Sequence, residues 1–211
     1  MSTSTIPDLS EERALQAVGY DRVAGLDEAG RGAWAGPVCA SAVVLPLHDG
    51  QLADLLDGVR DSKLLTARSR EGLLMTIYEV ATAVGVGFCA PGEIDQWGIV
   101  SATRLAMERA VDELGGQVDA LLVDYLRLPN IDLPQHSLPK ADCHCLSVAA
   151  ASIIAKVERD RLMIALDDEY PGYGFAQHKG YGTREHRKAL DDLGPSAMHR
   201  MSWRPMRETL I

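Results

Sequence analysis

LDEAGRGAWAGPV, residues Leu26–Val38, sets two adjacent carboxylates, Asp27 and Glu28, just before a Gly30-Arg31-Gly32 turn. An apolar run, Val23–Leu26, leads into this stretch, and a second, Pro37–Leu45 (PVCASAVVL), leaves it. Both have the length and residue types of short buried strands, so the acids are expected where a strand gives way to a loop. Neighbouring side chains on a strand point to opposite faces. Asp27 and Glu28 can therefore serve one ion only if the strand is ending at Glu28, or if Glu28 contributes through its backbone carbonyl. Gly30 and Gly32 offer two positions where the backbone can take positive φ and approach a ligand. Arg31 adds a planar, permanently charged donor suited to phosphate. Acceptors for a cation and donors for an anion thus lie side by side. The plainer alternative is an acidic pair beside a tight glycine turn.

Outward from this stretch, helices and strands alternate. Leu9–Val18 has Ser10 as an N-cap and Glu11 and Glu12 in the first turn, which predicts a short leading helix. Gln51–Val59 is expected as a short helix or turn, followed by the polar triplet Asp61-Ser62-Lys63. Thr66–Ala83 carries Leu73, Leu74, Ile77, Val80 and Ala81 on one face of an amphipathic helix. Val84–Cys89 (VGVGFC) is a strand weakened by its glycines. Pro91-Gly92-Glu93 reads as a break, and Ile99–Leu114 as a second helix stopped by Gly115 and Gly116. Asp119–Asp124 is an apolar strand ending on a carboxylate, Leu126–Pro139 a loop or short strand, and Ser147–Leu166 the longest helical run. Tyr170–Gly182 is a glycine-rich loop, and small helical pieces close the chain. Alternation of this kind favours an α/β domain with a central sheet.

The 211 residues suffice for one large domain. No apolar run nears the roughly 20 residues of a membrane span, and the first residues lack the pattern of a secretory leader, so a cytoplasmic, non-membrane protein is expected. Cys39, Cys89, Cys143 and Cys145 show no disulfide framework and read as reduced thiols. A formal charge of −9 argues mildly against a partner made of phosphates. Residues 176–211 soften that objection, with seven Lys and Arg against four Asp and Glu.

Two further acids matter. Asp124 closes an apolar strand, where α/β proteins commonly bind ligands, or it is simply a turn residue. Asp142 precedes the long helix, where it either reaches a site at the sheet edge or serves the helix start. Cys143-His144-Cys145 raises the thought of zinc, but the spacing is too short for a C-x2-C knuckle and has no second pair. His144 is the alternative tuner of that neighbourhood. His178, His186 and His199 keep no metal spacing and are expected to face phosphate or solvent. Tyr125 is a bulky choice after Asp124.

The DEAGRG run, the DSK triplet, LLVD, the Asp before a small-residue helix and GYGFAQHKGYGT, in this order, resemble the signature of ribonuclease HII, the type 2 ribonuclease H family. The resemblance spans roughly Tyr20 to Pro205. It implies a ribonuclease H-like mixed central sheet flanked by helices, with a small helical C-terminal region. The expected division is a helical lead over 1–19, a catalytic domain over 20–170, and a substrate loop with the C-terminal helices over 171–211. By resemblance, Asp27, Glu28, Asp124 and Asp142 are catalytic metal ligands for magnesium or manganese; oxygen donors suit such hard ions. Two ions about 3.5–4 Å apart would drive in-line phosphodiester hydrolysis. The family cleaves the RNA strand of RNA/DNA hybrids and incises 5′ of single ribonucleotides in duplex DNA, leaving 3′-hydroxyl and 5′-phosphate ends, which implies ribonucleotide removal from DNA. The resemblance gives Gly30, Arg31, Gly32 and Tyr181 to recognition of the ribonucleotide and Lys63 to a backbone phosphate, with Lys179 and His178 as further substrate contacts. A monomer is expected. The alternatives are a ribonuclease HIII-like enzyme preferring long hybrids, against which stand the roughly 20 residues before the first strand, and a hybrid-binding protein that has lost catalysis.

Overall fold

A computed structural model describes residues 6–209. Helix α1 (Ser10–Ala17) precedes strands β1 (Val23–Ala29) and β2 (Val38–Val44); α2 (Leu52–Leu55), a 3-10 turn (Ser62–Leu64) and α3 (Ala67–Val80) follow. Then come β3 (Ala83–Cys89), α4 (Pro91–Asp112), β4 (Ala120–Asp124), β5 (Gln135–Leu138), a second 3-10 turn (Ala141–Cys143) and α5 (Leu146–Glu169). Helices α6 (Phe175–His178), α7 (Arg184–Leu193) and α8 (Arg204–Thr209) complete the described chain.

The sheet has five strands in the order β3-β2-β1-β4-β5. β1 pairs antiparallel with β2 and parallel with β4, so the sheet is mixed, as expected. Alternation along the strands divides the core in two. Val23, Val43 and Leu122 face α5, with Ile153, Ile154 and Val157; Ala24, Ala42, Val44 and Leu121 face α4, with Ala106, Met107 and Ala110. Each large aliphatic side chain fully buried in this way contributes about 2 kcal/mol of transfer free energy.

Three local readings change. The side chain of Ser10 does not cap α1; the cap residue is Leu9, and Asp8 Oδ1 accepts from the Ser10 amide at 2.8 Å. Pro91 opens a helix instead of breaking one: proline suits a first helical turn, and Glu93 accepts from the Ala90 amide at 2.7 Å. The two pieces of α4 meet at Gly98, whose φ of 78° interrupts the helix. The glycines of β3 are not weaknesses. A Cβ on Gly85 or Gly87 would lie 2.0 or 2.1 Å from the α4 carbonyls of Ala110 or Ala106, so their absence of a side chain is what lets α4 lie close on the sheet. Among the described residues no helix is long and apolar enough to cross a membrane, and the four cysteines are unpaired.

Candidate functional site

β1 does not end at Glu28: it runs on through Ala29. Asp27 lies on the α5 face and is buried, 4% exposed. Glu28, on the opposite face and one residue from the strand's end, nevertheless lines the same cleft of about 220 Å³, with Arg31 Nη1 donating to its carboxylate at 3.0 Å. Opposite faces serve one site here because the cleft opens past the end of the sheet. Asp124 also lines it. As the last residue of β4, the parallel neighbour of β1, it emerges at the same sheet end; the last registered pair is Leu26 with Val123. Its Oδ1 accepts from the Ala141 amide at 3.1 Å, and Tyr125 then turns the chain away with a left-handed φ of 61°, which accounts for the odd local shape its bulk foreshadowed. Asp142 sits in the 3-10 turn before α5 and does not cap that helix, whose cap residue is Cys145.

Lys63 Nζ stands 3.4 Å from Asp142 Oδ2 and 3.6 Å from Asp61 Oδ1. Asp61, which resemblance left without a role, accepts from the Lys63 amide and so shapes the turn that presents this lysine. Arg70 Nη1 buttresses the same turn from α3, donating to the carbonyls of Ser62 and Leu65 at 2.9 and 2.8 Å.

The acids repel one another in a ring: Asp27 feels Glu28 and Asp142, Glu28 feels Asp124, and Asp124 feels Asp142. Burial first, then these charges, pushes Asp27 well above the usual carboxylate range. Burial likewise raises Glu28, against the pull of Arg31, and raises Asp124, with Asp142 adding to it. Burial works against the charge of Lys63, but Asp27, Asp61 and Asp142 outweigh it and hold the ammonium above its ordinary value. Two ammoniums, Lys63 and Lys156, the second already paired with Asp160, and the Arg31 guanidinium face four carboxylates. Such an oxygen-only, cation-deficient donor set suits a hard divalent ion.

Among the described residues, Asp61, Asp142 and Cys143 bring possible ligand atoms within 4.8 Å of one another; the ring of four is more open than this. Cys143, His144 and Cys145 do not converge. Cys145 is buried, and His144 is exposed and acts on Asp8 rather than on the acids. A zinc site made from that triplet has no geometry to support it.

The Gly-Arg-Gly turn differs in detail from expectation. Gly30 takes a φ of 91°, and a Cβ there would lie 1.9 Å from Arg159 Nε. Gly32 has no positive φ; it is exposed, and a Cβ there would point into open space. Tyr181 lines the acid cleft, its ring 5.5 Å from Lys156 Nζ and 5.3 Å from the Arg159 guanidinium. Lys179 and His178 line the adjoining cavity instead, of about 450 Å³. Both serve their own loop: Lys179 Nζ donates to the Ala176 carbonyl, while the His178 ring bonds the Tyr173 carbonyl and the Gly180 amide at 2.8 and 3.2 Å.

Two residues to which the sequence pattern gave no place in the site hold the turn in position. Arg159 and Arg200 are fully buried and, among the described residues, have no carboxylate within ion-pair distance. Arg200 donates to the carbonyls of Gly30 at 2.7 Å, Arg31 at 2.8 Å and Gly36 at 2.9 and 3.0 Å. Arg159 donates to Pro37 at 2.9 Å, Lys179 at 2.9 Å and Ala35 at 3.1 Å. Burial and the nearby Arg159 charge lower Arg200 to about 9. His186 and His199 do not face phosphate or solvent: they are 0% and 1% exposed, packed against Trp34, Tyr173 and Phe175. Arg159 left a trace, a single charge one turn beyond Ala155 on the small-residue face of the long helix; Arg200 and the two histidines left none.

Comparison with known proteins agrees with this architecture. The family model described as Ribonuclease HII matches residues 24–206. A ribonuclease HII of Chloroflexus aurantiacus is 54% identical over 206 residues, covering 98% of this chain and 97% of that protein. One from Thermus thermophilus is 53% identical over 184 residues, 87% of each. The crystal structure of ribonuclease H2 from Pyrococcus horikoshii superposes with a TM-score of 0.72 at 27% identity, covering 89% of this chain and 96% of that one.

Proposed function

The chain belongs to the ribonuclease HII family, and is accordingly a metal-dependent ribonuclease H acting on RNA/DNA hybrids; from that premise we propose that it also incises duplex DNA on the 5′ side of a single embedded ribonucleotide. The observation that supports this is one cleft lined by Asp27, Glu28 and Asp124, by the Gly30–Gly32 turn and by Tyr181, so that groups suited to metal and groups suited to a sugar adjoin.

Asp27, Glu28, Asp124 and Asp142 would hold magnesium or manganese, two ions in the active complex. When bound, such ions would supply an activated water and offset charge on the departing 3′ oxygen, consistent with 3′-hydroxyl and 5′-phosphate ends. Lys63, 74% exposed at its side chain, takes a backbone phosphate at the mouth of the cleft. The 2′-hydroxyl is the only group that marks a lone ribonucleotide. The backbone of Gly30, Arg31 and Gly32 reads it, and Tyr181 packs on the neighbouring deoxyribose; Lys179 and His178 support the tyrosine's loop. The proposed working form is a monomer. Its free thiols fit a reducing cytoplasm, where the activity serves ribonucleotide removal during DNA replication and repair.

The test is nicking of a labelled duplex with one ribonucleotide, beside an all-DNA duplex and a long RNA/DNA hybrid, in magnesium or manganese, with Asp124→Asn as control. Incision 5′ of the ribonucleotide, lost in the variant, is expected. Cleavage of the long hybrid alone overturns the proposal.

A further inference from the structure

The two buried histidines belong to a hydrogen-bonded chain whose direction can be worked out atom by atom. The Ser196 amide points at His199 Nδ1, 2.9 Å away. An amide nitrogen only donates, so Nδ1 accepts, and in a neutral imidazole the proton then sits on Nε2. His199 Nε2 lies 3.0 Å from His186 Nε2, so His199 donates and His186 accepts. The proton of His186 is thereby fixed on Nδ1, which lies 3.0 Å from the carbonyl oxygen of Tyr181 and donates to it. The Ser196 hydroxyl, also 2.9 Å from His199 Nδ1, is a second donor in the same sense. The Tyr181 carbonyl also accepts from the Thr183 amide at 2.8 Å.

Burial is the main reason both rings stay neutral, and it lowers each to about 4. The charged and titratable groups around them act in the same sense: His178, stacked on His186 at 4.3 Å, and Arg187, which lies over the Trp34 ring. Nothing in this cluster touches the acid cleft directly; Tyr181 does.

We infer that His199 and His186 are positioning residues, a proton-ordered chain from the Ser196 amide to the Tyr181 carbonyl that holds Tyr181 at the mouth of the acid cleft and so sets discrimination for a lone ribonucleotide. The inference rests on the reading of Tyr181 as a substrate contact. The chain joins two segments distant in sequence, the tyrosine's loop and the turn at Ser196–His199, and the second of these also pairs with the Gly-Arg-Gly loop: Ala35 bridges to His199, and the Gly36 amide donates to Met198 at 2.8 Å. Displacing one histidine therefore moves the tyrosine relative to the backbone that faces the sugar, while the carboxylates stay on β1, β4 and the 3-10 turn.

The experiment measures kcat and KM for the single-ribonucleotide duplex and for a long RNA/DNA hybrid, and compares the ratio of kcat/KM values. The variants are His199→Leu, His199→Gln, Tyr181→Ala and the double variant His199→Leu with Tyr181→Ala, each checked for folding by thermal melting. Loss of one net hydrogen bond corresponds to a fall of about tenfold in the ratio for His199→Leu, carried by KM on the single-ribonucleotide duplex. The amide of Gln reaches the place of Nε2 and still donates to His186, so His199→Gln should keep the ratio within about threefold. In the Tyr181→Ala background His199→Leu should change nothing more, because it acts through that residue. An equal loss on both substrates, or effects that multiply in the double variant, overturns the inference. Should His199→Leu fail to fold, a folded His199→Gln with lost discrimination overturns it as well. Tyr181→Ala with an unchanged ratio removes the reading of Tyr181 and this inference with it; Tyr181→Ala with lost discrimination beside an unaffected His199→Leu removes the inference alone.

Discussion

Replacing Arg200 by Met keeps a long unbranched side chain and removes the guanidinium. Four hydrogen bonds to three carbonyls, those of Gly30, Arg31 and Gly36, disappear together. The Gly30 carbonyl keeps the Ala33 amide at 3.2 Å, and a buried acceptor left without its partner costs about 1–3 kcal/mol, so the other two cost about 2–6 kcal/mol. Part of this is returned, because the native fold pays to keep a buried charge without a carboxylate, as the lowering of Arg200 to about 9 shows. A net loss of about 1–4 kcal/mol is expected, a substantial share of the 5–15 kcal/mol that holds a typical domain. Arg200→Lys should lose about 1–3 kcal/mol, because one ammonium cannot span three carbonyls in the plane a guanidinium covers. Urea unfolding of the metal-free protein measures the first effect. Cleavage of an RNA/DNA hybrid, assayed where both variants stay folded, measures the second: the loosened Gly30–Gly32 turn should reduce kcat/KM beyond the change in folded fraction. Wild-type unfolding midpoint and slope in Arg200→Met, with unaltered cleavage, would refute the role assigned to this residue.

Asp27→Asn should abolish hydrolysis yet raise the melting temperature of the metal-free protein at pH 8. The folded state holds the Asp27 carboxyl well above its unfolded value, so its destabilisation grows as pH rises past about 4 and the gain should vanish in acid; a lower melting temperature at pH 8 contradicts this. His186 and His199 titrate near 4 when folded and near 6.5 when unfolded, so their neutrality contributes full stability above pH 6.5 and loses it toward pH 4. At pH 5 the loss is about 2 kcal/mol per ring, and the double variant His186→Asn with His199→Gln should show a flatter dependence of its urea midpoint between pH 7.5 and 5. Gly30→Ala meets both a φ of 91° and the Arg159 side chain, and should lose at least about 1–2 kcal/mol of stability. Gly32→Ala should unfold within about 0.5 kcal/mol of wild type while cleaving poorly; normal cleavage would mean that no substrate backbone approaches Gly32.

What the sequence made legible was what short-range pattern encodes. The apolar runs around Asp27 and before Asp124 predicted β1, β2 and β4, and the Ser147–Leu166 run predicted α5, because burial on both sides of a central layer leaves a mark on every residue of such an element. Boundaries slipped where a glycine or proline has two meanings. Gly85 and Gly87 looked like defects in a strand when they admit α4, and Pro91 looked like a break when it starts that helix. The four carboxylates were legible through motif resemblance, and three of them line one cleft. The support behind them was not. Arg200 meets Gly30 across 170 positions, and His199 meets His186 across 13, with no periodicity to announce either contact. A buried arginine or histidine satisfied by backbone carbonyls has the same residue type as a solvated one, so only the fold separates them.

The charge of −9 also acquires a different meaning once the fold is known. A protein that binds a polyanion needs cations where phosphates pass, not a basic surface everywhere. Arg159 and Arg200 lie inside the wall that carries the Gly-Arg-Gly turn, their donors spent on carbonyls, and no carboxylate cancels their charge at close range. The acids gathered beside it raise the local negative charge, but it is that charge which recruits divalent ions. Divalent ions held by these acids would offset their charge and leave Lys63 and Arg31 at the rim freer to meet a phosphodiester, which reconciles an acidic chain with a nucleic-acid substrate.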